Sequence, residues 1–407
     1  MAALMLATTV WAGTAPSQQP ADPSSGALAL ESAERIRITE RSNLSTRENG
    51  RYLGLLNRQG TGYLTRTEAA EFTGRFFVFE QLRRDRSQVA RPVDHSFEST
   101  LAISPDALLA GDGEYPSLQH LSIAPSGAQT RALRPGARWE APAWTVITPR
   151  PGASSLRLPV IVAYHYRGEE IWNGAPAVRI EAQFATRYPV PPSDDPDAPV
   201  VRYQGPLVEV RGAHRLTMLL PVEVTSEAQV AFLRDEVEEH YRFSDGTTRS
   251  VQGHVLLFLA GLTVERQRIV EDQIEEQLRE AEIEDITVET TDTGVRLTID
   301  ALRFLPDQAV LLPEERGRLD QVARALARTE GTRFLIVGHT ADVGSQRSQE
   351  VLSVERARVI AAELSERGIS PDRMDIEGRG GTDPVASNAT EEGRARNRRV
   401  EIYVLEE

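Results

Sequence analysis

The chain has 407 residues, 40% of them hydrophobic and 26% charged, with a formal net charge of −14. That length exceeds one ordinary core, so two or three domains are expected. The acidic balance argues against a nucleic-acid partner, because phosphate binding needs a positive surface, although it does not bear on a local basic patch. Cysteine is absent, which removes disulfides, thiolate nucleophiles, zinc ribbons and a lipid-anchored N-terminal cysteine. All 46 basic residues are arginine, which removes Schiff-base chemistry and the phosphate-loop lysine.

Residues 1–15 open with MAALMLATTVWAGT, an apolar run ending in the small-residue pattern Val10-Trp11-Ala12. This predicts a secretory signal. The basic segment that normally precedes such a run is missing, so the true start is expected upstream. The run is too short to span a bilayer, and no later stretch reads as a transmembrane helix. Residues 16–27 are rich in Pro, Ser and Gln and read as a flexible leader.

Residues 28–262 read mostly as β. Leu156, Leu158, Val160, Val162, Tyr164 and Tyr166 alternate strictly, as do Val178, Ile180, Ala182 and Phe184. Arg167-Gly168-Glu169 and Trp172-Asn173-Gly174 supply turn chemistry between them. Val251 to Leu259 is a further strand. Glu227 to His240 is expected as a short helix, with Val230, Leu233 and Val237 at helical spacing. Pro191 to Pro199 carries Asp194, Asp195 and Asp197 but lacks the glycine and bidentate glutamate of a calcium loop, so it reads as solvated. A break near 126–136 divides the region into two β-rich units.

Residues 263–284 form a charged linking helix with Val270, Ile274, Leu278 and Ala281 on its apolar stripe. Residues 285–407 read β-β-α-β-α-β-β. Ile286 and Val288 begin the first strand, Val295, Leu297 and Ile299 alternate in the second, and Pro313 opens a helix. Leu319, Val322, Ala323 and Leu326 face its core. Phe334 to Val337 is a buried strand and Arg347 to Arg367 a long helix ended by Gly368. Met374 and Ile376 mark another strand, and Val400, Ile402 and Val404 the last. The chain is therefore multidomain, a β-rich N-terminal region followed by an α+β sheet with helices on one face.

The stretch from Phe334 to Arg356 organises the last domain. Gly338 stops the strand, a polar loop of Thr340, Asp342, Gly344 and Ser345 follows, and a helix opens. Such a loop gathers free backbone N–H groups that can hold an anionic or zwitterionic ligand. Arg356 lies one turn after Leu352 and one turn before Ile360, at the edge of the helix's apolar stripe, where a fixed guanidinium can meet a carboxylate bidentately.

The pattern GHT-x-x-x-G from Gly338 to Gly344, LS-x-x-RA from Leu352 to Ala357, and G-R-A-x-N-R-R-V from Gly393 to Val400 resembles the OmpA-like domain, a peptidoglycan-binding module. The resemblance covers roughly the last 120 residues, about one domain in size. It implies a clamp for the diaminopimelate of the peptide stem, with an Asp after the His-Thr binding the ammonium and the Arg of LS-x-x-RA binding the carboxylate. The Arg is Arg356. The Asp position is Ala341, and the family's Asn before LS is Gln349. Arg398 is kept. Asp342, one residue along, is a candidate substitute for the missing acid. Asn397 and the arginines 394, 396, 398 and 399 are implied to stabilise the loop before the last strand and to line the site. His339 reads as a hydrogen-bonded structural histidine that orders the loop. Arg356 also has a purely structural reading, paired with a carboxylate on the Glu355 side of the helix or with Asp375.

Three readings of Ala341 stay open: a wall whose diamino acid is not diaminopimelate, such as ornithine; weak diaminopimelate binding; or a fold kept for another ligand. The motifs of hydrolases, zinc peptidases and nucleotide enzymes are absent, so no enzyme, cofactor or metal is expected. The expected function is a non-enzymatic periplasmic or outer-membrane-associated protein held at the peptidoglycan, other envelope proteins being possible partners. The alternatives are an outer-membrane porin with a barrel before Gly261, or a ligand- or protein-binding β module with a passive C-terminal scaffold.

Overall fold

The computed structural model describes residues 33–68, 71–80, 89–102, 110–111, 115–122, 133–150, 153–189, 205–221, 229–280, 286–299, 302–305, 308–329 and 332–406. The expected signal (1–15), the leader (16–27), the Asp194–Asp197 loop, Ala281 and most of the 126–136 break lie outside these residues.

The first sheet is built from β1 (Arg35–Glu48), β2 (Arg51–Arg66), β3 (Glu71–Phe79), β5 (His95–Ala102), β6 (Ala110–Gly111), β7 (Leu118–Gln119), β8 (Arg138–Ile147), β9 (Leu156–Trp172), β10 (Ala175–Tyr188), β11 (Leu207–Pro221), β12 (Gln229–Phe243) and β13 (Thr248–Leu262). β4 (Arg91–Pro92) belongs elsewhere. The twelve strands run in the order β6-β5-β3-β2-β1-β13-β12-β11-β10-β9-β8-β7. Strands from both sides of residues 126–136 thus share one sheet. Asn49-Gly50 and Asn173-Gly174 make two-residue hairpin loops with φ of 48° and 79°, and of 49° and 82°. Positive φ at both central residues is what the right-handed strand twist requires, and Asn-Gly supplies it at least cost.

One face of this sheet is apolar. Ile36, Phe76, Trp139, Tyr164, Ile180, Met218, Leu233 and Leu259 join a single core across the strands. The sheet curls around that face. The segment before β7 folds back on β1–β3, where Tyr115 stacks 5.9 Å from Phe76 and Ser117 N donates to Glu40 Oε2 at 2.7 Å. The outward face is charged: on β12, Arg234, Glu236, Glu238, His240 and Arg242 are exposed.

Two expectations fail here. Arg167-Gly168-Glu169 is no turn: β9 runs through it, and the register with β10 shifts between Arg179 and Ile180, a bulge with Gly168 at φ 113°. The helix expected over Glu227–His240 is not formed by its described residues, 229–240, which lie in β12. Its inward positions are Ala231, Leu233, Asp235, Val237 and Glu239, all buried at strict period two. Two of the five are carboxylates, so the apolar residues alone mimic helical spacing.

Those carboxylates meet His214 of β11. His214 Nδ1 lies 2.7 Å from Asp235 Oδ2, and Nε2 lies 3.2 Å from Glu239 Oε1. The Tyr241 hydroxyl donates to Glu239, and the His214 ring stacks on Phe184 at 4.2 Å. Burial alone would lower the His214 pKa, but its hydrogen bonds and charge contacts with Asp235 and Glu239 outweigh it and raise it to about 9.

The second sheet comprises β14 (Ile286–Thr290), β15 (Val295–Ile299), β16 (Thr332–Gly338), β17 (Met374–Gly378), β18 (Val400–Glu406) and β4, in the order β14-β15-β18-β16-β17-β4. β16 and β17 are parallel, as are β17 and β4. The helices are α1 (Val264–Glu280), α2 (Arg316–Ala327), α3 (Gln346–Glu366) and α4 (Glu391–Asn397). α4 carries Arg394 and Arg396 of the basic run, in the segment before the last strand. Thr390 caps it by accepting from Gly393 N, and Glu391 and Glu392 occupy its first turn. Val270, Ile274 and Leu278 of α1 share a core with α2, α3 and the sheet, so the linking helix docks on the second sheet.

The opposite face of the second sheet packs on the outside of the first. Leu335, Val337, Tyr403 and Leu405 meet Tyr63, Phe77, Phe79 and Leu262. β4 comes from the N-terminal region, and Val93 N donates to Ile376 O at 2.8 Å. Arg91 Nε and Arg333 Nη2 both reach Asp375, at 2.9 and 3.1 Å. Asp375 is therefore occupied by these two arginines, and Arg356 has no ion pair with it. Among the described residues no helix is long and apolar enough to cross a membrane.

Candidate functional site

The site is built where β16 hands over to α3. A Cβ on Gly338 would sit 2.2 Å from the Ser353 carbonyl oxygen, so only glycine lets the helix lie this close to the strand. Ser353 is fully buried. Its hydroxyl donates to Glu350 O at 2.7 Å and accepts from Gly380 N at 3.0 Å, which joins α3 to the loop after β17. The loop 339–345 is pinned by its backbone: His339 N donates to Arg399 O at 3.0 Å and Thr340 N to Gly380 O at 2.8 Å. Gly344 turns at φ 89°, and Ser345 then caps α3 by accepting from Ser348 N at 3.2 Å.

Gln349 is the hub of the loop. Its Nε2 donates to Asp342 Oδ1 at 3.1 Å and its Oε1 accepts from Gly381 N at 3.1 Å. Asn397, fully buried, accepts from Val385 N and Ala386 N at 2.9 Å and donates to Asn388 Oδ1 at 2.8 Å. Asn388 Oδ1 in turn accepts from Asp342 N at 3.2 Å. Gln349, Asp342, Asn388 and Asn397 thus form one connected network that fixes three loops. Asp342 is engaged by it. Ala341 is 5% exposed and presents a methyl group where the family places its acid.

Arg356 stands apart from that network. It is 5% exposed, its Nε lies 3.4 Å from Gln308 O, and its guanidinium lies 4.9 Å from the Phe304 ring centroid. The aromatic face and the carbonyl fix the cation in place. Arg398 pairs with Glu391 of α4 at 2.7 Å. The buried member of the basic run is instead Arg399, whose Nε donates to Glu401 Oε1 at 2.7 Å and whose Nη1 donates to Asp383 O at 3.1 Å.

His339 departs from expectation. It is 1% exposed, and among the described residues neither ring nitrogen has a hydrogen-bond partner. Nε2 lies 3.4 Å from Glu401 Oε2, close enough for charge interaction but misaligned for a hydrogen bond. Burial lowers the His339 pKa more than Glu401 raises it, and Arg399 and Arg379 push it the same way. Burial opposes ionisation of Glu401, but contact with His339 and Arg399 holds it well below the usual carboxylate range. A neutral imidazole beside an ionised carboxylate satisfies both directions. The Thr340 hydroxyl, 6% exposed, also has no partner among the described residues.

Sequence reasoning missed Glu401. It sits between Val400 and Ile402 at a position that alternation assigns to the wet face. That face is covered, and Glu401 is 1% exposed. Asp235, Glu239 and His214 were missed for a related reason. The sequence signal that could have found them is a period-two reading of β12 that admits carboxylates inward.

Residues 303–398 match the family model described as OmpA family. Outer membrane protein A of Bordetella avium is 43% identical over 99 residues, which are 24% of this chain and 51% of that protein. The peptidoglycan-binding protein ArfA of Mycobacterium bovis is 42% identical over 103 residues, 25% of this chain and 32% of that protein. The chain thus spans about half or less of these curated relatives. A solved structure titled as the cell wall anchor of the T6SS from Pseudomonas aeruginosa is 31% identical, covers 34% of this chain and 97% of its own, and superposes with a TM-score of 0.29.

Proposed function

We propose that this chain, whose residues 303–398 form an OmpA-family domain, is a non-enzymatic protein of the cell envelope that associates with peptidoglycan through Arg356. Residues 285–407 form the wall-associated unit, and residues 28–262 form a β-rich region that lends β4 to its sheet. The match to a protein named for peptidoglycan binding, 42% identical over 103 residues, supports the class of ligand. The observation that carries the finer reading is the fixed guanidinium of Arg356, 5% exposed and stacked on Phe304. The carboxylate half of the clamp is built. The ammonium half is not, because Ala341 offers no acceptor and Asp342 is engaged by Gln349. The recognised group is therefore the side-chain carboxylate of a stem diamino acid, bound weakly. A diamino acid with an ammonium and no such carboxylate fits this arrangement less well.

A location in the periplasm or at the outer membrane follows from the same reading. The charged outward face of β12 speaks against a porin barrel, since a transmembrane barrel presents apolar side chains there.

Co-sedimentation with purified sacculi tests the proposal. With diaminopimelate-containing sacculi, the wild type is expected to bind and Arg356→Ala to lose binding by tens to thousands of fold, the effect of about 2–5 kcal/mol for a desolvated charge partner. Ala341→Asp is expected to strengthen binding by restoring the acid. Binding that Arg356→Ala leaves unchanged would refute the assignment.

A further inference from the structure

The inner face of the first sheet carries a polar belt between two apolar cores. The adjacent strands β1, β13, β12 and β11 place it at one height. β12 runs from Leu233 of the core described above, through Asp235 and Glu239, to Tyr241 of a second core. β11 runs from Leu216 through His214 to Val210 in the same way. β13 passes from Leu257 through Val255 and Gly253 to Val251, and β1 from Ile38 through Glu40 and Ser42 to Leu44, which packs on the second core. Register lines up Ser42, Val255 and Asp235 across β1, β13 and β12. Stability does not account for such a belt, because well-packed apolar residues in place of buried ion pairs are often neutral or stabilising.

The belt lines a cavity of about 130 Å³. A cavity of about 150 Å³ holds a benzene ring, so this one takes about six non-hydrogen atoms. Among the described residues its charged lining is Glu40, Asp235 and Glu239 against Arg58, Arg249 and His214. With His214 a cation, the two signs balance. Charges beyond the lining keep that balance: Glu48 and Arg150, of opposite sign, act on Arg249, and Glu236, which acts on Asp235, is paired with Arg234 at 3.5 Å. Each sign also has an unmet group. Asp235, 4% exposed, gives Oδ2 to His214 and leaves Oδ1 without a partner among the described residues. Arg249, also buried, donates from Nη1 to the Pro149 carbonyl at 3.0 Å, but its Nε and that of Arg58 have no hydrogen-bond partner there. A belt kept for folding alone satisfies its buried groups. The half-buried lining residues Leu56, Arg58, Thr148 and Ser155 mark the mouth. β2 pairs with β3 only from Gln59 onward, so among the described residues no strand covers that side of Leu56 and Arg58.

We propose that this cavity binds a small zwitterion, an α-amino acid about the size of alanine. Its ammonium goes to Asp235, and its carboxylate to Arg249 and to Arg58 at the mouth, where a guanidinium matches a carboxylate with paired bonds. A balanced lining disfavours a ligand of net charge, because a buried charge without a partner is costly. An apolar ligand of the same size leaves the unmet donors and the unmet acceptor unpaired. A zwitterion answers both signs and adds no net charge. This site is separate from Arg356 and does not depend on the peptidoglycan reading.

The test is calorimetric titration of the full chain near neutral pH with L-alanine, with ethylammonium chloride and sodium propionate as its two halves, and with L-tryptophan as an oversized amino acid. L-alanine is expected to bind, each half at least about tenfold more weakly, and L-tryptophan not at all. Asp235→Asn and Arg249→Gln are each expected to weaken L-alanine binding at least about tenfold, and Arg324→Gln on α2 to leave it unchanged. Circular dichroism verifies that each variant is folded, and the comparison of the four probes on the wild type stands even where a buried variant does not fold. No binding of L-alanine, equal binding of either half or of L-tryptophan, or binding that both folded variants retain in full overturns the proposal.

Discussion

The two sheets bury histidine in opposite ways. In the first, His214 lies between Asp235 and Glu239, and their proximity raises its pKa to about 9, so it is a cation at neutral pH. In the second, His339 lies beside Glu401, but Arg399 has already taken that carboxylate and burial keeps the imidazole neutral. The first histidine has two carboxylates to itself, whereas the second has one, and an arginine already engages it. A buried histidine is read by counting the charges already spent around it, and the count gives opposite protonation states within one chain.

The contrast breaks most sharply at His214 itself. His214→Ala leaves Asp235 and Glu239 buried without their cation and is expected to cost about 3–5 kcal/mol. The three described tryptophans, Trp139, Trp144 and Trp172, all lie in the first sheet, so tryptophan fluorescence during urea unfolding reports that sheet. An unchanged midpoint would mean that the cluster does not hold the strands together.

Next in size is the close approach of α3 to β16. Gly338→Ala forces a methyl group against the Ser353 carbonyl and is expected to destabilise the second sheet by about 1–3 kcal/mol, typical of overpacking. The loss should appear in far-UV circular dichroism with little change in the tryptophan signal.

The pH dependence sharpens the comparison. The folded pKa of His214 is raised, so its contribution is fully present below the unfolded value near 6.5 and is lost as pH rises through about 9. The shift corresponds to about 3 kcal/mol at most. The folded pKa of His339 is lowered, so the unfolded state binds more protons below about 6.5, and the second sheet loses stability as pH falls from there. Unfolding monitored by tryptophan should therefore weaken toward pH 9, and that of the second sheet toward pH 5. Parallel profiles would contradict the two protonation states.

Gln349→Ala is expected to have the smallest effect, about 1–2 kcal/mol, by freeing Asp342 and Gly381 N together. Amide exchange in the loop 339–345 should rise while the global midpoint moves little.

The sequence made the second sheet legible because its strands and helices keep their periods. Val295, Leu297 and Ile299, then Leu319, Val322 and Leu326, fall on buried faces as period two and period 3.6 require. The spaced motifs located Gly338, Arg356 and Asn397. What stayed hidden involves charge at inward positions. Asp235 and Glu239 interrupt the apolar alternation of β12 and made a strand look helical. Gly168 bends a strand where a turn was expected, because a bulge and a turn share the same residue preference. The joining of β4 to β17, some 280 residues away in the chain, leaves no local signal at all. Neither does the engagement of Asp342 by Gln349, which depends on where a loop is pinned.

The central claim is that Arg356 recognises a carboxylate without help from a neighbouring acid. Calorimetric titration of the full chain with two soluble muropeptides, one carrying diaminopimelate and one carrying lysine at the same stem position, tests it most directly. The two differ by the side-chain carboxylate. The account predicts weak binding of the diaminopimelate peptide, at least tenfold weaker binding of the lysine peptide, and loss of that difference in Arg356→Ala. Equal binding of the two peptides by the wild type would contradict it.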